Sequence, residues 1–312
     1  MTTREIRLEG PGAHGTSVNA ALLRDLLDLV IGGTQRALRL RTQGRSVAQG
    51  AQLKWIVAAT EMDIQLREGS TVVAFEVPTL LEADPLEFRQ SGLFPEIDPS
   101  LTGIDYLASS IAAVSASDKQ AQQYDTPFLE HLQGFGKVLS HGIEKITFSG
   151  SPASTGVSAS LTRDTLERIS GMQRSIAPPQ EVMLAGKLDT IRASDRTFMI
   201  SLPSSPENVR GICESDLVET LRALWTRDVV VSGTAHYSSG GRVLRIETVS
   251  LREATVSDVA LWGIRPEPLA SVPVPDVFRV AQGPRSGLNA IIGQWPGDET
   301  DEAIEALLEA TS

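Results

Sequence analysis

The chain has 312 residues, 41% of them hydrophobic and 21% charged, which is too apolar for wholesale disorder and long enough for two cores. Its net charge of −11 argues against bulk electrostatic binding of nucleic acid, and no run nears the roughly 18 apolar residues of a membrane span. Cys213 is the only cysteine, which excludes an intramolecular disulfide; with no apolar leader in "MTTREIRLEG", the expected setting is cytoplasmic.

The first expected element is a half-buried strand over residues 4–9, where Ile6 and Leu8 alternate with charged neighbours. After the break "GPGAHGTS", Ser17 is the expected cap of a helix from Val18 to about Thr42, with a stripe of Leu22, Leu23, Leu26, Leu29, Val30 and Leu38. Arg36, Arg39 and Arg41 cluster near its end, where cations suit the helix dipole. "EMDIQLREGSTVVAFEVP" reads as a hairpin, Met62, Ile64 and Leu66 alternating on one arm and Val73, Phe75 and Val77 on the other. Loop-like sequence then leads to helices at "LTGIDYLASSIAAV" and "PFLEHLQGFGKVLSHG", a strand at "IEKITFSG" and a helix at "LTRDTLERISGMQR". Residues 1–177 are therefore expected to form an α+β domain on a small, mainly antiparallel sheet, ending at Pro178 and Pro179.

Residues 178–254 read as three strands, a helix with Ser215 as its candidate cap, and two strands, the order of a five-stranded OB-like barrel. Gly186 and Gly233 fall inside strands, where a small barrel must bend. Residues 255–285 read as a proline-rich linker, and residues 286–312 as an acidic segment with a short helix. Residues 255–312 hold three basic and nine acidic side chains, so more than half of the excess negative charge lies there.

Few residues suggest catalysis. Gly10-Pro11-Gly12-Ala13-His14-Gly15 spells GxGxxG, but Pro11 removes an amide and the charged alternation before it is unlike a buried Rossmann strand, so a turn is expected. His131 and His141 on one helix would stand some 15 Å apart, too far to share a metal without a break at Gly134 or Gly136. HExxH, GxSxG and a Walker loop are all missing, so the chain reads as non-enzymatic, with no cofactor and no metal. The barrel offers Lys187, Arg192, Arg196, Arg210, Tyr237, Arg242 and Arg245 as a nucleic-acid-binding set. Against that set, Phe198 suits a core, and Asp189, Asp195, Glu207 and Glu247 balance the arginines.

The last feature is "GQWPGDETDEAIEALLE". Trp295 precedes a Pro296-Gly297 turn; Asp298, Glu299, Asp301 and Glu302 place acid in a first helical turn; Ile304, Leu307 and Leu308 give one apolar stripe. A helix of about ten residues is too short to stand alone, so something must cover that stripe. The segment resembles the C-terminal tails of small prokaryotic antitoxins paired with PIN-domain ribonuclease toxins, while the body resembles bacterial two-domain proteins of no established activity. The resemblance implies a protein partner, a small nuclease toxin, bound by Trp295, Asp298, Glu299, Asp301, Glu302, Ile304, Leu307 and Leu308. The expected function is thus antitoxin-like protein binding, with single-stranded nucleic-acid binding by the barrel as the alternative and no membrane role.

Overall fold

β1, Thr2–Glu9, frames the first lobe, because its alternate side chains Arg4, Ile6 and Leu8 all point into the core. A computed structural model describes residues 1–269 except 14, 16, 49, 51, 68–70, 89–96, 118–123, 150–157 and 193–194. Residues 270–312, with every tail residue named above, and His14 lie outside the described residues.

α1, Ala20–Gln43, starts later than expected, because Asn19 rather than Ser17 caps it, accepting from the N–H groups of Ala21 (2.8 Å) and Leu22 (3.3 Å). Asn19→Ala should therefore cost about 1 kcal/mol, read as a fall of roughly 2–4 °C in a thermal melt. α2 (Lys54–Ala59), β2 (Asp63–Arg67) and β3 (Thr71–Val77) follow. β2 pairs antiparallel with β3, as the hairpin reading requires, and is an edge strand whose five residues are all exposed, Ile64 and Leu66 included. Its turn, residues 68–70, lies outside the described residues.

Two short turns of helix, α3 (Leu80–Ala83) and α4 (Pro85–Phe88), replace part of the expected loop before α5 (Gly103–Ser115). The single helix expected over "PFLEHLQGFGKVLSHG" is two, α6 (Thr126–Gln133) and α7 (Gly136–Ser140), divided at Gly134 and Phe135. β4 (Lys145–Ser149) and β5 (Ala159–Thr162) complete an antiparallel sheet of order β2-β3-β1-β4-β5, and α8 (Arg163–Ser175) closes the lobe. Its core runs from Ile6 to Met172. Arg4 is buried among these residues and reaches Asp105 on α5 through two bonds of 2.8 Å.

β6 (Gln180–Arg192), β7 (Thr197–Ser201) and β8 (Val209–Cys213) are followed by a 3-10 turn at Ser215–Leu217, α9 (Val218–Ala223), β9 (Asp228–Tyr237) and β10 (Val243–Glu253). The strands close in the order β6-β7-β8-β10-β9, β8 and β10 running parallel and the other pairs antiparallel, which is an OB-like barrel. The fold class is thus α+β, with a small antiparallel sheet and a five-stranded barrel. Gly233 lies where a Cβ would meet the Glu247 carbonyl oxygen at 2.1 Å, so close strand approach requires glycine there.

The first residues of the stretch read as linker instead form α10, Val256–Trp262, because Thr255 and Asp258 make a capping box and Asp258 also holds Arg252. Among the described residues no helix is long and apolar enough to cross a membrane.

Candidate anion-binding cleft

Met1–Leu269 forms one compact unit, and its two lobes meet at the C-terminus of α1. A helix end leaves carbonyl oxygens without partners. Here Arg210 Nη2 donates to the Arg41 carbonyl (3.2 Å) and Arg245 Nη1 to the Gly44 carbonyl (3.1 Å), so barrel guanidinium groups cap α1. Gly44 itself takes the left-handed conformation, φ +70°, and its N–H returns to the Leu40 carbonyl at 2.8 Å. A buried bond of 2.9 Å between the Tyr124 and Ser239 hydroxyls joins the lobes a second time.

Past Gly44 the chain runs along the barrel, steadied by Asp125, which accepts from the Ser46 N–H at 2.9 Å. This leaves a cleft of about 430 Å³, whose lining includes Arg45, Arg196, Cys213, Glu214, Glu247 and Thr248. A second cleft of about 270 Å³ adjoins it at Val47 and Ala48, with Gln35, Arg36, Arg39, Ser46 and Gln52 on its walls.

Among the described residues, Arg36, Arg39, Arg45 and Arg196 have no carboxylate within 4 Å. Burial, and behind it Arg36, lowers the Arg39 pKa; burial and then Arg245 lower that of Arg45, with Glu247 opposing. Arg39 and Arg45 nonetheless stay charged, because a guanidinium titrates far above neutral pH. Four like charges gathered in this way repel one another, and an anion would relieve the repulsion. Four buried polar atoms also lack partners there: Arg36 Nε, Arg45 Nε, Ser46 Oγ and Thr248 Oγ1. Such atoms are unusual in a folded interior and are commonly satisfied by water or a ligand.

Glu247 is the main counterweight. The His236 imidazole, 3.4 Å away, and the Arg245 guanidinium, 2.9 Å away, outweigh the effect of burial and hold its carboxyl down at about 2. It is therefore ionised at neutral pH but already engaged.

The structure scatters the seven barrel residues proposed from sequence. Arg196 alone lines the cleft, and Arg210 and Arg245 serve as clasps to α1. Arg192 pairs with Asp195 at 3.1 Å, Arg242 pairs with Glu207, and Tyr237 is buried in the barrel core. Lys187 is exposed on β6, beside Asp228 in the neighbouring strand. Phe198 is core, as its apolar neighbours require. Sequence reasoning missed Arg45, Ser46 and Thr248, and it read Arg36 and Arg39 as dipole partners only.

The other motifs do not form sites. Gly12 of the GxGxxG stretch donates its N–H to the Gly142 carbonyl at 2.8 Å, and Gly10 accepts from Ala13, so this is a packed turn. His131 is held against the Leu29 carbonyl at 2.8 Å, whereas His141 faces Asp25 at 3.9 Å. No group of three or more metal-ligating side chains occurs among the described residues. In comparisons with known proteins, the chain matches no family model, no curated protein and no solved structure, so a functional reading stands on the geometry of this cleft.

Proposed function

We propose that this chain is a non-enzymatic binding protein for short single-stranded nucleic acid, whose phosphates lie along Arg36, Arg39, Arg45 and Arg196. The observation that carries the reading is the convergence of these four guanidinium groups, none ion-paired to a carboxylate among the described residues, in two joined clefts. Their position supports it. OB-type barrels take oligonucleotides on the face of their second and third strands and on the loops after the first and fourth strands. In this barrel those are β7, β8, the turn leading to Arg196 and the loop at Ser239. Tyr124 of the first lobe already holds Ser239, which leaves the Arg196 side for a ligand.

Neither Phe198 nor Tyr237 faces the cleft, so contact is to phosphate more than to stacked bases, and sequence preference is weak. The overall charge of −11 opposes long strands and favours short ones. A single strand neutralised at four phosphates gives a log–log salt slope of about −3, so raising salt from about 50 to 200 mM should weaken binding roughly 50-fold. Fluorescence anisotropy with a labelled ten-nucleotide strand measures this. The double change Arg45→Ala and Arg196→Ala should reduce affinity at least tenfold, roughly the loss of two charge-assisted contacts. Absence of binding at the lower salt would overturn the reading.

A further inference from the structure

The two halves of the cleft differ in chemistry. The larger has Glu214 and Glu247 on its wall beside Arg45 and Arg196, with Ile212 and Cys213 as an apolar surface. The smaller has no carboxylate in its lining, and its side chains include Arg36, Arg39 and the Ser46 hydroxyl. The nearby Asp125 is occupied by backbone donors, Phe128 N–H at 3.0 Å on one oxygen and Ser46 N–H at 2.9 Å on the other.

We infer that the smaller half is a subsite for a terminal phosphate monoester, with the attached nucleoside in the larger half. Three observations carry this. Arg36 and Arg39 stand one helical turn apart on α1 and supply two positive charges with no carboxylate partner among the described residues. A monoester carries about −1.5 to −2 at neutral pH, so it matches two guanidinium groups better than a singly charged diester does. The Ser46 Oγ is in a residue only 3% exposed and has no partner, as has Arg36 Nε, so both can donate to phosphate oxygens. Finally, about 270 Å³ is below the roughly 300–1,000 Å³ of pockets that hold a whole small ligand, which suits an end group. In the larger half, Arg45 and Arg196 meet the next phosphates of the strand, while Glu214 and Glu247 accept from base amino groups.

The inference deepens the nucleic-acid reading, and one experiment separates the two. Anisotropy titrations of the full chain would compare ten-nucleotide strands identical except for a phosphate or hydroxyl at the 5′ or 3′ end. The expected result is at least tenfold tighter binding of a phosphorylated strand, a difference that Arg36→Gln or Ser46→Ala reduces below threefold. Because Arg39 is buried and its replacement disturbs the packing of α1, inorganic phosphate is titrated against the unaltered protein as well; it should compete preferentially with the phosphorylated strand. Equal, salt-sensitive binding of both strands overturns the subsite and leaves the nucleic-acid reading intact. Failure of both strands to bind, with a nucleoside monophosphate bound in an Arg36-dependent way, supports the subsite and removes the nucleic-acid reading. No binding of any of the three overturns both.

Discussion

Replacing Arg4 with methionine should cost the first lobe about 3–5 kcal/mol at neutral pH, the usual penalty for removing one partner of a buried ion pair. Arg4 is 3% exposed and Asp105 7%, and the guanidinium meets both carboxylate oxygens at 2.8 Å. Asp105 also accepts from the Thr102 N–H and hydroxyl at the start of α5, so the pair ties the central strand to that helix. Methionine fills most of the space but leaves a desolvated carboxylate. Replacing Asp105 with asparagine in the same chain removes that charge, and should recover a good part of the loss.

The pH dependence gives a second readout. Burial pushes the Asp105 carboxyl up, but Arg4 and Thr102 together outweigh it, so its pKa lies below the ordinary carboxylate value. A lowered folded pKa means stability that is present above the unfolded value, about 3.9, and lost as pH falls through the folded one. In Arg4→Met the opposing bonds are fewer and burial dominates, so the folded pKa rises and the variant is penalised most at neutral pH. Urea melts should therefore show a gap that is widest near pH 7 and narrower near pH 4. A gap below about 1 kcal/mol at pH 7 would mean that the pair adds no more than a surface bridge does.

The barrel was legible because each of its five strands is long enough to show alternation and each boundary carries glycine, proline or a charged turn. Three of the four acids read as balancing the barrel arginines, Asp195, Glu207 and Glu247, do meet Arg192, Arg242 and Arg245. The short elements α2, α3, α4, β5 and α10 were not legible, since each spans too few turns or pleats for a period to appear. The hairpin arm β2 was legible from the alternation of Ile64 and Leu66. Its full exposure was not, because only the sheet order shows that, among the described residues, no strand lies beyond β2. The cleft was hidden because Arg36, Arg39 and Arg45 come from α1 and the chain just after it, and Arg196 from just before β7, in different lobes. Within α1 alone, Arg36 and Arg39 look like ordinary charges near a helix C-terminus. Only the docking of the lobes shows that no carboxylate among the described residues pairs with them.

That docking turns on Gly44, and Gly44→Ala should destabilise the chain by about 2–4 kcal/mol. Roughly 1–2 kcal/mol of this comes from holding an L-residue at φ +70°. The remainder is steric: the new Cβ would lie 2.7 Å from the Leu244 carbonyl oxygen, a backbone atom that cannot swing away, and 3.1 Å from Arg210 Nη1. Relief requires β10 and the end of α1 to separate, which lengthens the Arg245 bond to the Gly44 carbonyl and moves Arg45 away from Arg196. Gly15→Ala is the matched control. Gly15 is also left-handed, φ +56°, but its Cβ would meet nothing within 4 Å, so only the conformational cost of about 1 kcal/mol applies. Denaturant melts of the two variants should differ by at least 1 kcal/mol. At a temperature where both are folded, Gly44→Ala should also weaken anion binding while Gly15→Ala leaves it unchanged. Equal melts would show that the lobes tolerate a shift at this junction; unequal melts with equal anion affinity would show that the cleft does not depend on the register of the lobes.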